Sequence, residues 1–385
     1  MTPSGRIVLL GATGYTGRLT TAALVAAGAT PVLAGRDAAA LGALAEASGG
    51  LPTAVADITR PGSVRALLEP GDVLVSTVGP FVRYGHAAVE SAIDAGCHYL
   101  DSTGEPAWVR EVFTRYGSQA AERGCALLTA IGYDYVPGNL AGALALERAG
   151  GDATRVDVGY YMTGGQPLHR TLSGGTLASL GEAVLEPGFA RRGGRIVQER
   201  GARTVRRFEV DGRRRSAASI GMSEHFSLPR LHPGLEDVNT YLGWFGSMTR
   251  PMQFAAAANA ALARVPGVNS GQRALVRRLL RGSRGGPDAL ARSKTGSYVV
   301  AEAFDPRGAL LARATLQGAN PYEFTGEILA WAAGRAITEV PAAVGAIGPV
   351  EAFGLRALER ACADIGLEES AQGGPYRRRP GTVPA

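Results

Sequence analysis

Three glycines at three-residue intervals, Gly11, Gly14 and Gly17 in GATGYTG, follow directly on the apolar run IVLL at residues 7–10. A chain with this spacing turns sharply and comes close to a pyrophosphate, while the N–H groups of the helix that follows bind the anion. The context of strand before and helix after is what gives such a triplet weight. Thr13, Tyr15 and Thr16 line the same loop. A second apolar run ends in Ala34, Gly35 and Arg36. An acidic side chain there would hold both ribose hydroxyls, whereas the Arg36 guanidinium suits a 2′-phosphate. Asp37 either competes for the ribose or caps the next helix. Asp57, at the end of TAVAD, is placed to accept from an adenine amine or to cap a helix in its turn. The cofactor expected from these residues is NADP.

A second cluster ends the later apolar runs. In TVGPFVRYG (77–85) a buried run stops at Gly79, Pro80 and Phe81. Gly79 and Pro80 would leave room for a nicotinamide ring, and Phe81 would shield one side of it. Tyr84 is a phenol, protonated at neutral pH and able to donate. Tyr135 and His169 are the other catalytic candidates, with bound water as a further proton source. Glu105, Tyr133 and Asp134 are the substrate-binding candidates, the two carboxylates suited to a substrate amine or to the nicotinamide carboxamide. Each has a plainer reading. The tyrosines pack, the carboxylates cap helices or bind loops, and His169 belongs to a surface loop. His98 reads as structural.

These positions need elements to hold them. Short Val, Leu and Ala runs alternate with helical stretches of 10–15 residues through residue 140, which implies a parallel sheet covered on both faces. CALLTAIGYD closes that series, and IGYDYVPGNL (131–140) reads as the next strand. After Gly150 the spacing lengthens, with strands such as RVDVGYYMTGG and a hairpin around Pro306–Gly308. The fold class expected is α/β: a Rossmann-type doubly wound parallel sheet with a second α+β domain built on a mostly antiparallel sheet. The NADP-binding domain is expected over 1–140 and the substrate and dimerisation domain over 141–334. Helices of about 335–368 return to the first domain, and 371–385 forms a flexible tail.

Composition excludes several chemistries. Lys294 is the single lysine among 40 basic residues, so any Schiff-base route must use it. The position four residues before it is Leu290, which rules out a Tyr-xxx-Lys pair. Cys97, Cys125 and Cys362 lie far apart, with no metal-ligand spacing, so no metal is expected. No membrane span and no signal sequence is legible, which makes the cytoplasm the expected location. The stretch 191–215 holds 10 Arg against 3 acidic residues. With few interleaved aromatics it reads as a solvated strand pair or as a surface for an acidic partner, not for nucleic acid.

GPFVRYGHAAVESAIDAGCHYLDSTGE (79–105) resembles the signature of the saccharopine dehydrogenase-like oxidoreductases, through Gly79–Pro80–Phe81, Tyr84–Gly85, Tyr99, Asp101 and Gly104–Glu105. IGYDYVPGNL is similar to that family's Gly-Phe-Asp-Ser-Val-Pro stretch, with Tyr133 for Phe and Tyr135 for Ser. SGGTLAS (173–179), GGPDALAR (285–292), NPYEFTGEILAWAA (320–333) and GPVEAFGL (348–355) resemble the trans-acting enoyl reductase branch. The resemblance implies an NADPH-dependent reductase of an activated C=C (enoyl) or C=N (imine) small-molecule substrate, free or acyl-carrier-bound, in lipid, polyketide or secondary-metabolite biosynthesis. It also implies a homodimer. The alternatives are a noncatalytic NADP sensor or scaffold and an amino-acid-type saccharopine-like dehydrogenase.

Overall fold

The computed structural model describes residues 5–164, 173, 188–262, 285–318, 320–339 and 341–370. His169, most of the SGGTLAS stretch and the tail 371–385 lie outside the described residues.

The first part of the chain runs β1 (Ile7–Leu10), α1 (Tyr15–Ala26), β2 (Val32–Gly35), α2 (Ala38–Ala47), β3 (Thr53–Val55), α3 (Pro61–Arg65) and β4 (Val73–Ser76). It continues through α4 (Phe81–Ala95), β5 (His98–Asp101), α5 (Pro106–Glu111), α6 (Gly117–Glu122), β6 (Ala126–Leu128) and α7 (Val136–Ala149). Every residue of β1 and β4 is buried, as strands covered on both faces require. The sheet is parallel, with β1 between β2 and β4. Chain direction across the sheet therefore reverses at β1 and β4, the switch point outside whose carboxyl ends ligands bind in such sheets.

The expected strand over 131–140 is not formed. β6 ends at Leu128, and Ala130 turns the chain with a left-handed φ of 62°. Its N–H donates to Asp101 Oδ1 at 2.8 Å, which holds that turn. The loop then feeds α7, where Pro137 stands in the first turn with its φ already helical. An apolar run this short does not by itself distinguish strand from buried helix. From Val136 to Leu146 every residue of α7 is buried, so the helix is covered on all sides.

The second part comprises β7 (Arg155–Thr163), β8 (Phe189–Arg192), β9 (Arg195–Gln198), β10 (Val205–Val210), β11 (Arg213–Ser219), α8 (Glu224–Leu231) and β12 (Asp237–Leu242). Then come α9 (Thr249–Leu262), α10 (Ala289–Ser293), β13 (Gly296–Phe304), β14 (Leu310–Gly318) and α11 (Pro321–Thr338). The described residues close with β15 (Gly345–Ala346), α12 (Pro349–Phe353), α13 (Leu355–Asp364) and β16 (Leu367–Glu369). The second sheet has the order β10-β11-β12-β7-β13-β14-β16, with β8 beside β12 and β9 beside β8, and among its described pairs only β12 and β7 run in parallel. The α/β expectation with a mostly antiparallel second sheet is met. β15 rejoins the first sheet beside β6, and β16 joins the second beside β14. α11 packs on α1 so closely that a Cβ at Gly326 would lie 3.0 Å from Leu19. Among the described residues no helix is long and apolar enough to cross a membrane, and no His, Cys, Asp or Glu cluster would hold a metal. The three cysteines are buried and unpaired.

One buried carboxylate fixes the ends of β5 and β6. Asp101, 0% exposed, accepts from the hydroxyls of Tyr99 (3.0 Å) and Thr129 (2.9 Å), Trp108 Nε1 (2.9 Å) and the N–H groups of Thr103 (3.0 Å) and Ala130 (2.8 Å). Burial raises its pKa, and the donors oppose that shift. Asp101→Ala strands donors whose individual cost is about 1–3 kcal/mol, so urea unfolding should show a loss of roughly 3–5 kcal/mol. Asp101→Asn, which keeps one acceptor oxygen, loses less. A change below about 1 kcal/mol for the alanine variant, the size of one ordinary hydrogen bond, would show that the donors find other acceptors.

Candidate cofactor and active site

The glycine loop has the shape of an anion cradle. Gly11 takes a φ of 88°, and a Cβ there would meet Thr77 Oγ1 and Val78 Cγ2 at 2.8 Å. Thr77 in turn donates to the carbonyls of Leu10 (3.2 Å) and Gly11 (3.1 Å), tying the loop to the end of β4. A Cβ at Gly17 would sit 2.2 Å from the Gly11 carbonyl, so only glycine lets α1 start this close to the loop. Gly14 is the N-cap, and no side chain caps the helix. The first-turn N–H groups of α1 therefore remain for an anion. The hydroxyls of Thr13 and Thr16 likewise have no protein partner among the described residues.

Tyr15 points elsewhere. Its hydroxyl donates to the Pro287 carbonyl (2.6 Å) and receives Arg292 (3.2 Å), and its ring meets Tyr322 edge-on at 5.3 Å. It straps the loop to the second part of the chain. At the other end, Asp37 accepts from the Ala40 N–H at 3.0 Å and so caps α2, which leaves exposed Arg36 as the group beyond β2. Asp57 accepts from the Thr59 N–H (2.9 Å) and hydroxyl (2.8 Å). Those bonds hold its carboxyl below the usual range, with Arg60 and Arg36 adding to the effect.

Three strand ends meet on the carboxyl edge of the first sheet. Gly79 is exposed there, joined to Pro80 by a cis peptide, and the Phe81 ring lies against it. Gly85, next to Tyr84, leaves room for Trp108, whose indole would lie 2.4 Å from a Cβ at that position. The Glu105 carboxylate is 2% exposed and accepts from the N–H groups of Phe81 and Val82, each at 2.9 Å. It caps α4 and fixes the GPF turn, so its oxygens face the protein more than a substrate. Tyr133 and Tyr135 are both 2% exposed, and their hydroxyls donate to the carbonyls of Tyr161 (3.1 Å) and Gly104 (2.8 Å). Burial raises the pKa of both phenols. Tyr84 is half-buried, with the Arg83 guanidinium 5.0 Å from its ring centre. Asp134, between the anchored tyrosines, is partly exposed and has no hydrogen bond among the described residues. Surrounding protein still desolvates its carboxyl, and its pKa is pushed up to about 7.

His98 Nδ1 accepts from the Ala126 N–H at 3.0 Å, a structural role, and Lys294 is exposed. The sequence did not single out Tyr160 and Glu224, which come from β7 and α8. Tyr160 Oη lies 2.5 Å from Glu224 Oε1, beneath Gly138, where a Cβ would sit 2.0 Å from that hydroxyl. No spacing pattern links residues 64 positions apart.

Residues 7–128 match the family model of the saccharopine dehydrogenase NADP binding domain. A Mycobacterium tuberculosis protein provisionally named a trans-acting enoyl reductase is 38% identical over 188 residues, 46% of this chain and 44% of that protein. A trans-acting enoyl reductase of Mycobacterium ulcerans is 34% identical over 184 residues, again 46% and 44%. The matched stretch spans less than half the length of these relatives. The fold is similar to that of an apo saccharopine dehydrogenase (L-Glu forming) from Saccharomyces cerevisiae, with a TM-score of 0.58 at 14% identity over 95% of this chain and 99% of that one. The glycine cradle and the family match of the domain around it agree: residues 7–128 form an NADP binding domain of the saccharopine dehydrogenase type, and the cofactor is NADP.

Proposed function

We propose that this chain reduces the activated C=C bond of an enoyl thioester. The observation that carries the reading is the convergence of the segments Gly79–Phe81, Thr103–Glu105 and Tyr133–Tyr135, which follow β4, β5 and β6, on one sheet edge beyond a glycine cradle. NADPH supplies the hydride when bound. Gly11, Gly14, Gly17 and the first turn of α1 hold its pyrophosphate, with Thr13 and Thr16 beside them and Tyr15 bracing the loop. Arg36 would meet the 2′-phosphate, and Asp57, bonded to Thr59, would shape the turn beside the adenine. Gly79, Pro80 and Phe81 would flank the nicotinamide and keep water from it, and Tyr84 would border the substrate. The relatives' names favour an enoyl substrate over an imine one.

An acyl carrier protein would meet the ribbon of β10 and β11. Arg207, Arg213 and Arg214 are exposed there, and no ion pair holds them among the described residues. Exposed charges of this kind steer an acidic partner and are screened by salt.

Arg36→Ala should weaken NADPH binding by about 10–100-fold, the worth of a charge-assisted bond of roughly 1.5–3 kcal/mol. NADH binding should stay nearly unchanged in the same fluorescence titration. Equal losses for both nucleotides would take Arg36 off the 2′-phosphate. With NADPH deuterated at C4, an enoyl N-acetylcysteamine thioester should yield product labelled at the carbon β to the carbonyl. Turnover of cyclic imines with none of enoyl thioesters would overturn the substrate assignment. Raising salt should raise KM for carrier-bound substrate while KM for the short thioester stays level. Parallel changes would remove the ribbon from the reading.

A further inference from the structure

The GYDYVP loop is anchored on both sides of Asp134 and leaves that side chain free. Its carboxylate packs on Gly104, where a Cβ would lie 2.9 Å from Oδ2, so the strand-end loop is shaped around it. No basic side chain offsets its burial. Behind it stands a second carboxyl, Glu224, 0% exposed.

Tyr160 lies between that carboxyl and the loop. Its Oη is 2.5 Å from Glu224 Oε1 and 3.1 Å from the Tyr135 carbonyl, and it accepts from the Gly138 N–H at 2.8 Å. A phenol has one proton, so it donates to one of those acceptors at a time. With Glu224 protonated, the acid donates to Tyr160 and Tyr160 donates to Tyr135. With Glu224 ionised, Tyr160 turns its proton to the carboxylate. The Tyr135 carbonyl is satisfied in both cases, because the Asn139 N–H (3.2 Å) and side-chain amide (2.9 Å) also reach it. The network therefore has two complete hydrogen-bond states that differ by one proton, and it ends on the residue next to Asp134.

We propose that Asp134 is the acid that protonates the substrate carbon, and that the Tyr160–Glu224 pair behind it is a positioning group that governs its charge. This rests on the reductase reading above. The hydride forms a C–H bond at the β carbon with its own electron pair, and the π pair moves onto the carbonyl side. The α carbon then takes the Asp134 proton, leaving a carboxylate that water reprotonates after product leaves. The alkene is reduced and NADPH oxidised, so atoms and electrons balance.

The titratable groups that share this region are Tyr133 and Tyr135 on the loop, Glu105 across from it, Tyr160 and Glu224. Burial lifts Glu224 to about 8 and Asp134 to about 7, and the Asp134 charge further disfavours ionisation of Glu224. An acid in that range is still protonated in good part at neutral pH, which suits proton donation. The sign is set by the raised values: the acid form is present below about pH 7, and the reaction slows as pH rises through that value.

The test uses cofactor-free protein with 13C-labelled aspartate and glutamate carboxyls, followed by infrared titration. Wild type should show carboxyl bands lost over about pH 6–9. Asp134→Asn should remove the lower step and shift the Glu224 step downward, and Glu224→Gln should leave a single step. If all the aspartates ionise below pH 5, or Asp134→Asn leaves the steps unchanged, the inference falls, and the first outcome needs no variant. In turnover, Asp134→Asn should lower kcat with enoyl thioester by at least about 100-fold while NADPH binding is kept, as loss of a general acid does. A loss below threefold in an active wild-type background overturns the role of Asp134. A wild type that reduces no enoyl substrate overturns the reductase reading instead.

Discussion

The buried carboxylate of Asp101 is the constraint on which the reaction edge depends. A charge in the interior is expensive unless hydrogen bonds replace its water. Here the replacements come from five groups, contributed by β5, the loop after it, α5 and the end of β6. Each donor draws one segment toward a common point. The turn at Ala130, with its positive φ, persists because that point over-determines it. From it the chain swings into the GYDYVP loop, and from Thr103 into Gly104 and Glu105. Glu105 then carries the order outward by capping α4 and fixing Gly79–Phe81. Three loops that are distant in sequence converge because two acids are satisfied by backbone and side-chain donors.

Glycines set the approach distances around that frame. Gly11 and Gly17 admit the loop to the sheet and the helix to the loop, while Gly85 admits Trp108 and so lets it reach Asp101. Gly138 does the same for Tyr160 and Glu224, where a Cβ would collide with both. That contact joins the two parts of the chain. α7 starts at the reaction edge and lies against the second sheet, and Tyr160 reaches both the Tyr135 carbonyl and Glu224 of α8. The Tyr15 strap is a second junction, through Pro287 and Arg292. The cofactor loop and the reaction edge are thus each tied to the second part of the chain.

Much of this was legible in the amino-acid sequence, for physical reasons. Doubly buried strands must be apolar throughout, and helices that cover them must alternate with them, so the parallel sheet could be read from composition alone. The glycine triplet carried its own geometry. The loop over 131–135 did not, because its conformation is dictated by Asp101 and not by its own residues. Glu105 and the tyrosines were visible as chemistry, but their partners were not. A carboxylate facing amides and a phenol facing a carbonyl look the same in sequence as ones facing a substrate. Tyr160 and Glu224 were missed because only the folded chain brings them together under Gly138. His169 lies outside the described residues.

The reaction depends on where the reactive end of the dinucleotide lies, and a crystal structure with NADP bound measures that most directly. It should show the pyrophosphate on the first turn of α1, the 2′-phosphate at Arg36, and the nicotinamide against Gly79–Phe81 on the side that carries Asp134. A nicotinamide turned away from those strand ends, with Asp134 remote from its reacting face, would contradict the account.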